Sequence, residues 1–100
     1  MELTTENFQA ETASGLVLVD FWALWCGPCQ AMMPVLAEFE EKTGVKVGKV
    51  NVDEQGELAA QFRVMSIPTL IFMKDGEMQW QPLIGGKSLE ELEQLAAQYK

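Results

Sequence analysis

The sequence predicts an α/β protein in which a mixed sheet of four or five strands carries helices on both faces. Three observations point to it. Leu16-Val17-Leu18-Val19-Asp20-Phe21-Trp22 is apolar on both faces except at Asp20, the pattern of a central strand covered from two sides. A helical stripe and a second valine-rich run follow at a spacing that makes a right-handed parallel unit. Asp75-Gly76 then joins two further strand-like runs as a hairpin signal. One hundred residues make one domain, residues 1–100, burying about 60–65% of the unfolded surface.

Each element has its own warrant. Thr4 or Thr5 caps a short first helix running to about residue 13, with Phe8 as its apolar contact. After the central strand, Met32, Val35, Leu36 and Phe39 form one stripe of a helix over about 28–43. Gly44 stops that helix, and Pro34 predicts a kink within it. Val45, Val47, Val50 and Val52 mark the next strand. A short helix over 58–62 leads to a strand over 69–73 and, past the hairpin, to its partner over 77–84. Pro82 in that partner suits an edge strand or a bulge. Ser88-Leu89-Glu90-Glu91 opens the last helix as a capping box, with Leu89, Leu92, Leu95, Ala96 and Tyr99 as its buried face.

Composition removes several function classes. Seven Lys and Arg against fifteen Asp and Glu give a net charge of −8, which repels nucleic acid and anionic membrane surfaces. With no His, Ser/His/Asp and Cys/His nucleophiles and His-containing zinc sites are excluded, and proton chemistry near neutrality falls to a perturbed Cys or carboxylate. Two Cys are too few for a secreted disulfide framework. No signal peptide and no apolar run of spanning length is visible. The expected setting is soluble, reducing and cytoplasmic.

Trp25-Cys26-Gly27-Pro28-Cys29 carries the chemistry. It joins the central strand to the start of a helix, where unpaired backbone N–H groups and the helix dipole stabilise a Cys26 thiolate. Pro28 fits the first turn, where its missing N–H has no helical acceptor. Other readings of C-x-x-C exist. It suits half of a metal site, although one chain with no other Cys and no His cannot close a tetrahedral Cys/His set. It suits an inert disulfide, although so short a loop stabilises little. It also suits two reduced core thiols.

The sequence resembles the thioredoxin family over nearly its whole length. The resemblance rests on Val19-Asp20-Phe21-Trp22-Ala23, Trp25-Cys26-Gly27-Pro28-Cys29, Pro34, Lys49-Val50-Asn51-Val52-Asp53, Ile67-Pro68-Thr69, Asp75-Gly76 and Gly85. It implies the thioredoxin fold, with four helices flanking the sheet, and reduction of protein disulfides by dithiol exchange. Cys26 then corresponds to the attacking thiol, Cys29 to the resolving one and Trp25 to the aromatic beside them. Asp20 is a carboxylate in an apolar strand, where burial raises its pKa; the resemblance implies that it takes the proton from Cys29. The resemblance also places Lys49 near Asp20, although a Lys at a strand end can equally face solvent. It makes Ile67-Pro68 a cis bond facing the Cys pair, gives Ile67 backbone groups that pair with an extended substrate, and makes Gly85 the loop glycine over which substrate backbone passes. The resemblance implies that Trp25, Ile67, Pro68 and Gly85, beside Gly27 and Pro28, form a docking patch. Implied partners are disulfide-containing proteins and a thioredoxin reductase, with the chain a monomer needing no cofactor or metal.

The sequence departs from the family at several points. Leu24 stands where a charged residue is common, Gln30 where Lys or Arg is common, and Met65-Ser66 where a basic residue and Gly are common. A cation that would favour the thiolate is lost, and the rim of the patch becomes apolar. The strand at Trp80, Gln81 and Pro82 is one residue longer than usual, which predicts a bulge, and a first strand near Glu2 is very short. The rivals are an oxidase or isomerase of the same fold, against which Gly27-Pro28 argues, and a binding module that needs neither Cys.

Overall fold

A computed structural model describes residues 1–99. The elements are α1 (Phe8–Thr12), β1 (Leu16–Trp22), α2 (Gly27–Thr43), β2 (Lys46–Asn51), α3 (Gly56–Gln61), β3 (Thr69–Lys74), β4 (Glu77–Ile84) and α4 (Leu89–Tyr99). The sheet order is β2-β1-β3-β4. β1 lies inside, parallel to β2 across α2 and antiparallel to β3. Being paired on both edges and covered on both faces, it buries every residue from Val17 to Phe21, which explains its near-unbroken apolar run.

Side-chain alternation along the strands sorts two cores. Val17, Val19, Phe21, Val50, Ile71 and Met73 meet Phe8 of α1 and Leu58 and Ala59 of α3 on one face. Leu18, Val47, Leu70 and Phe72 meet Met32, Leu36 and Phe39 of α2 and Leu92 and Ala96 of α4 on the other. Asp20 belongs to the second face by the same period, which aims its carboxylate toward α2.

Local signals explain the boundaries. Regular α1 begins at Phe8, but the capping expected of Thr4 is present one turn earlier: the Asn7 N–H donates to Thr4 Oγ1 at 3.3 Å and the Thr4 N–H to Asn7 Oδ1 at 2.7 Å. α2 ends at Gly44, whose φ of 74° is left-handed, and it runs unbroken through Pro34. Asp75 and Gly76 take φ of 52° and 87°, the two left-handed residues of a type I′ hairpin. In β4, Trp80, Gln81 and Pro82 lie opposite Ile71 alone between the Leu70–Leu83 and Phe72–Gln79 pairs, so the predicted bulge is there. It lies on the edge strand, where Pro82 has no second ladder to interrupt. Ser88 and Glu91 exchange bonds of 3.1 and 3.0 Å at the start of α4, and these hold the Glu91 carboxyl below its usual range. α3 begins at Gly56, two residues before its expected start. The short first strand is a single parallel bridge, Glu2 to Lys49.

Candidate active site, a disulfide at a helix cap

β1 delivers the chain to the sheet's end, and α2 turns it back. Between them Ala23 is buried, Leu24 and Trp25 are exposed, and the Cys26 N–H bonds to the Ala23 carbonyl at 3.2 Å. Cys26 is the N-cap of α2, in extended conformation, and the Cys29 N–H points at its Sγ from 3.2 Å. A cap side chain normally offers oxygen to this N–H; here it offers sulfur, at the positive end of the helix dipole. Cys26 and Cys29 are joined as a disulfide with Cα atoms 5.2 Å apart. Cys26 is 5% exposed and Cys29 is 0%. Cys26 thus keeps a sliver of exposure and Cys29 none. Gly27 and Pro28 between them are exposed at the start of the helix.

The surroundings of the pair are apolar, with Ala23, Trp22, Val52 and Ile67 packed in one cluster with the two cysteines. Asp20, further back on β1, is 0% exposed. Among the described residues neither of its carboxylate oxygens has a hydrogen-bond partner, nor does the buried Trp22 Nε1. Burial pushes the Asp20 pKa up from 3.8 to about 7, against the opposing pull of Lys49. Lys49 stands directly opposite Asp20 in the β1–β2 register. Its side chain, half-buried rather than free in solvent, places Nζ 2.9 Å from Met33 Sδ of α2.

The remaining predicted residues gather at the same end. Ile67-Pro68 is cis, Ile67 touches the sulfur cluster, and the Gly85 N–H donates to the Pro68 carbonyl at 2.9 Å. Gly85 has a φ of 89°, open to glycine at no steric cost. Trp25 and Ile67 line one groove of about 360 Å³ with Val52, Val64, Met65 and Ser66. Three contacts had not been assigned from sequence. Asp53 accepts from Trp25 Nε1 at 2.9 Å, Met33 meets Lys49, and Gln30 Nε2 donates to the Leu24 carbonyl at 3.2 Å. Asp53 closes the Lys49–Asp53 segment already read as informative; nothing in the sequence marks Met33. A larger cavity, about 700 Å³ between α1, α3 and the β3–β4 hairpin, touches none of the predicted site residues.

The arrangement sets a disulfide at a helix N-cap, and the strand leading into it carries a fully buried carboxyl whose pKa burial pushes up to about 7. The sequence profile of the family described as thioredoxin matches residues 1–98. The chain belongs to the thioredoxin family. It is 48% identical over 100 residues to the thioredoxin of Listeria monocytogenes, covering 98% of this chain and 96% of that one. It is 46% identical over 97 residues to the thioredoxin of Bacillus subtilis, covering 95% and 92%. Among solved structures, a mutant thioredoxin from Halobacterium salinarum superposes with a TM-score of 0.93 at 34% identity, over 99% of this chain and 88% of that one. The fold is therefore the thioredoxin fold, and Cys26–Cys29 is the redox-active pair of a protein-disulfide oxidoreductase. Among the described residues no helix is long and apolar enough to cross a membrane.

Proposed function

We propose that this chain is a general reductant of protein disulfides, one domain over residues 1–100, in which Cys26 attacks and Cys29 resolves. The contrast in exposure supports the assignment: Cys26, at the helix cap, keeps some exposure and Cys29 has none. The Cys26 thiolate attacks one substrate sulfur, forming a mixed disulfide and releasing the other as a thiolate. Cys29 then gives its proton to Asp20 through water, and attacks Cys26 Sγ. The second substrate thiol leaves, the Cys26–Cys29 bond forms, and two electrons have passed to the substrate. In a site without His, a buried carboxyl with pKa about 7 is matched to that proton transfer, and Lys49 in the neighbouring register tunes it.

Docking uses Trp25, Ile67, Pro68 and Gly85 around the exposed Gly27-Pro28 turn. An extended segment of the substrate pairs with the Ile67 backbone as an added strand. The partners are disulfide-containing proteins and, for re-reduction, a thioredoxin reductase. The chain acts as a cytoplasmic monomer without cofactor, away from nucleic acid and membranes, as its charge of −8 favours. Cys29→Ser tests the roles: incubated with insulin, it should accumulate a covalent adduct on Cys26. Absence of that adduct overturns the order of the thiols. A strongly oxidising equilibrium of the wild-type pair with glutathione overturns the reductant assignment in favour of an oxidase.

A further inference from the structure

Any polypeptide whose disulfide reaches Cys26 must lay its flanking residues on the neighbouring surface, because consecutive Cα atoms are only about 3.8 Å apart. The concave part of that surface is the groove lined by Trp25, Val52 and the segment from Val64 to Ile67. Its floor is continuous with the redox pair, since Val52 and Ile67 both line it and touch the Cys26–Cys29 cluster. Among the described residues no charged side chain lines it, and Ser66 is its only hydroxyl. Met65, at its rim, is 94% exposed, and Leu24, next to Trp25, is 71% exposed. The nearby Asp53 carboxylate is held in place by its bond to the Trp25 indole. A substrate acid here would meet an apolar wall and a like charge; a large aliphatic or aromatic side chain would exchange water for apolar surface.

We infer that Met65, with Trp25 lining the same groove, makes this chain selective for disulfide proteins whose reactive cysteine is flanked by a large apolar residue. The inference rests on the reading of Cys26 as the attacking thiol. Met65 is a specificity residue: its flexible thioether adapts to differently shaped apolar side chains and takes no part in sulfur exchange. Leu24 widens the same apolar surface beyond Trp25.

The test compares three otherwise identical peptides, each with one cysteine capped by mercaptoethanol as a disulfide and flanked on both sides by Leu, Gln or Glu. The second-order rate constant for oxidation of the reduced protein is measured with each, using 2-hydroxyethyl disulfide as a small neutral reference. The Leu peptide should exceed the Gln peptide by about tenfold, the scale on which apolar pockets discriminate, and that ratio should survive high salt. Met65→Lys should cut the Leu:Gln ratio severalfold and raise the Glu peptide relative to Gln. Met65 is almost wholly exposed, so the fold does not depend on it, and a ratio taken within one protein is not moved by a general loss of activity. Equal rates on Leu and Gln peptides overturn the inference. So does a preference confined to Gln over Glu that vanishes in high salt, which net charge alone explains, or a Leu:Gln ratio unchanged by Met65→Lys. Failure of the wild type to reduce 2-hydroxyethyl disulfide would instead strike the dithiol reading itself.

Discussion

Replacing Asp20 by Asn should stabilise the oxidised protein, and by an amount that depends on pH. The Asp20 carboxyl is fully buried with both oxygens unpartnered among the described residues, and its pKa rises from 3.8 to about 7. Between those values the unfolded chain has lost a proton that the folded chain keeps, so folding becomes less favourable as pH rises. The slope is about 1.4 kcal/mol per pH unit, and over about three units the loss reaches about 4 kcal/mol, complete once pH exceeds about 7. That is a large share of the 5–15 kcal/mol typical of a whole domain, taken as an order of magnitude. Asn has nearly the same volume and does not ionise. Its own cost of burial is independent of pH, so the difference between the two pH extremes isolates the ionisation. Urea denaturation with the disulfide intact, near pH 4 and near pH 8.5, should show the advantage of Asp20→Asn growing by about 4 kcal/mol, roughly 2 M in midpoint for an m-value of about 2 kcal/mol/M. An advantage of the same size at both pH values, or none, would refute the view that Asp20 is buried as an unpaired acid. Lys49→Met should move the midpoint of the wild-type pH dependence upward, because the charge that favours the carboxylate is gone.

Other outcomes follow from the same geometry. Asp20→Ala should slow reduction of insulin near neutral pH, by up to about 100-fold for a lost acid–base group, with the deficit shrinking above the ordinary thiol pKa; an unchanged pH–rate profile would remove Asp20 from the proton path. Phe72→Ala, deleting a ring packed edge-on against Phe39 and beside Tyr99, should cost about 3–5 kcal/mol in urea denaturation. Ser88→Ala should cost about 1 kcal/mol by breaking the reciprocal bonds to Glu91, seen as a drop in Tm.

Much of the fold was legible because its signals are local. The run from Leu16 to Trp22, the stripe of Met32, Leu36 and Phe39, Gly44, Asp75-Gly76 and the Ser88–Glu91 box each act within a few residues, where sequence spacing and spatial spacing coincide. The start of α3 was less clear, since its six residues bury only Leu58 and Ala59 and display little periodicity. The site divides in the same way. Cys26 at the helix cap is a local fact. The direction of the Lys49 side chain toward Met33, the bond from Trp25 to Asp53 and the joining of Gly85 to Pro68 depend on elements far apart in the chain, and no spacing rule encodes which side chain a neighbour in space will choose. Asp20 lay between these cases: an acid in an apolar strand announced its burial, but its lack of a hydrogen-bond partner among the described residues emerged only from the three-dimensional packing.

The sealing of Cys29 has a consequence for life among small thiols. In the proposed cycle, a captured protein hangs from the outer sulfur while the inner one waits behind it, out of reach of glutathione. If the inner sulfur stays as covered in that state as it is in the disulfide, each visit is discharged from within, one client at a time.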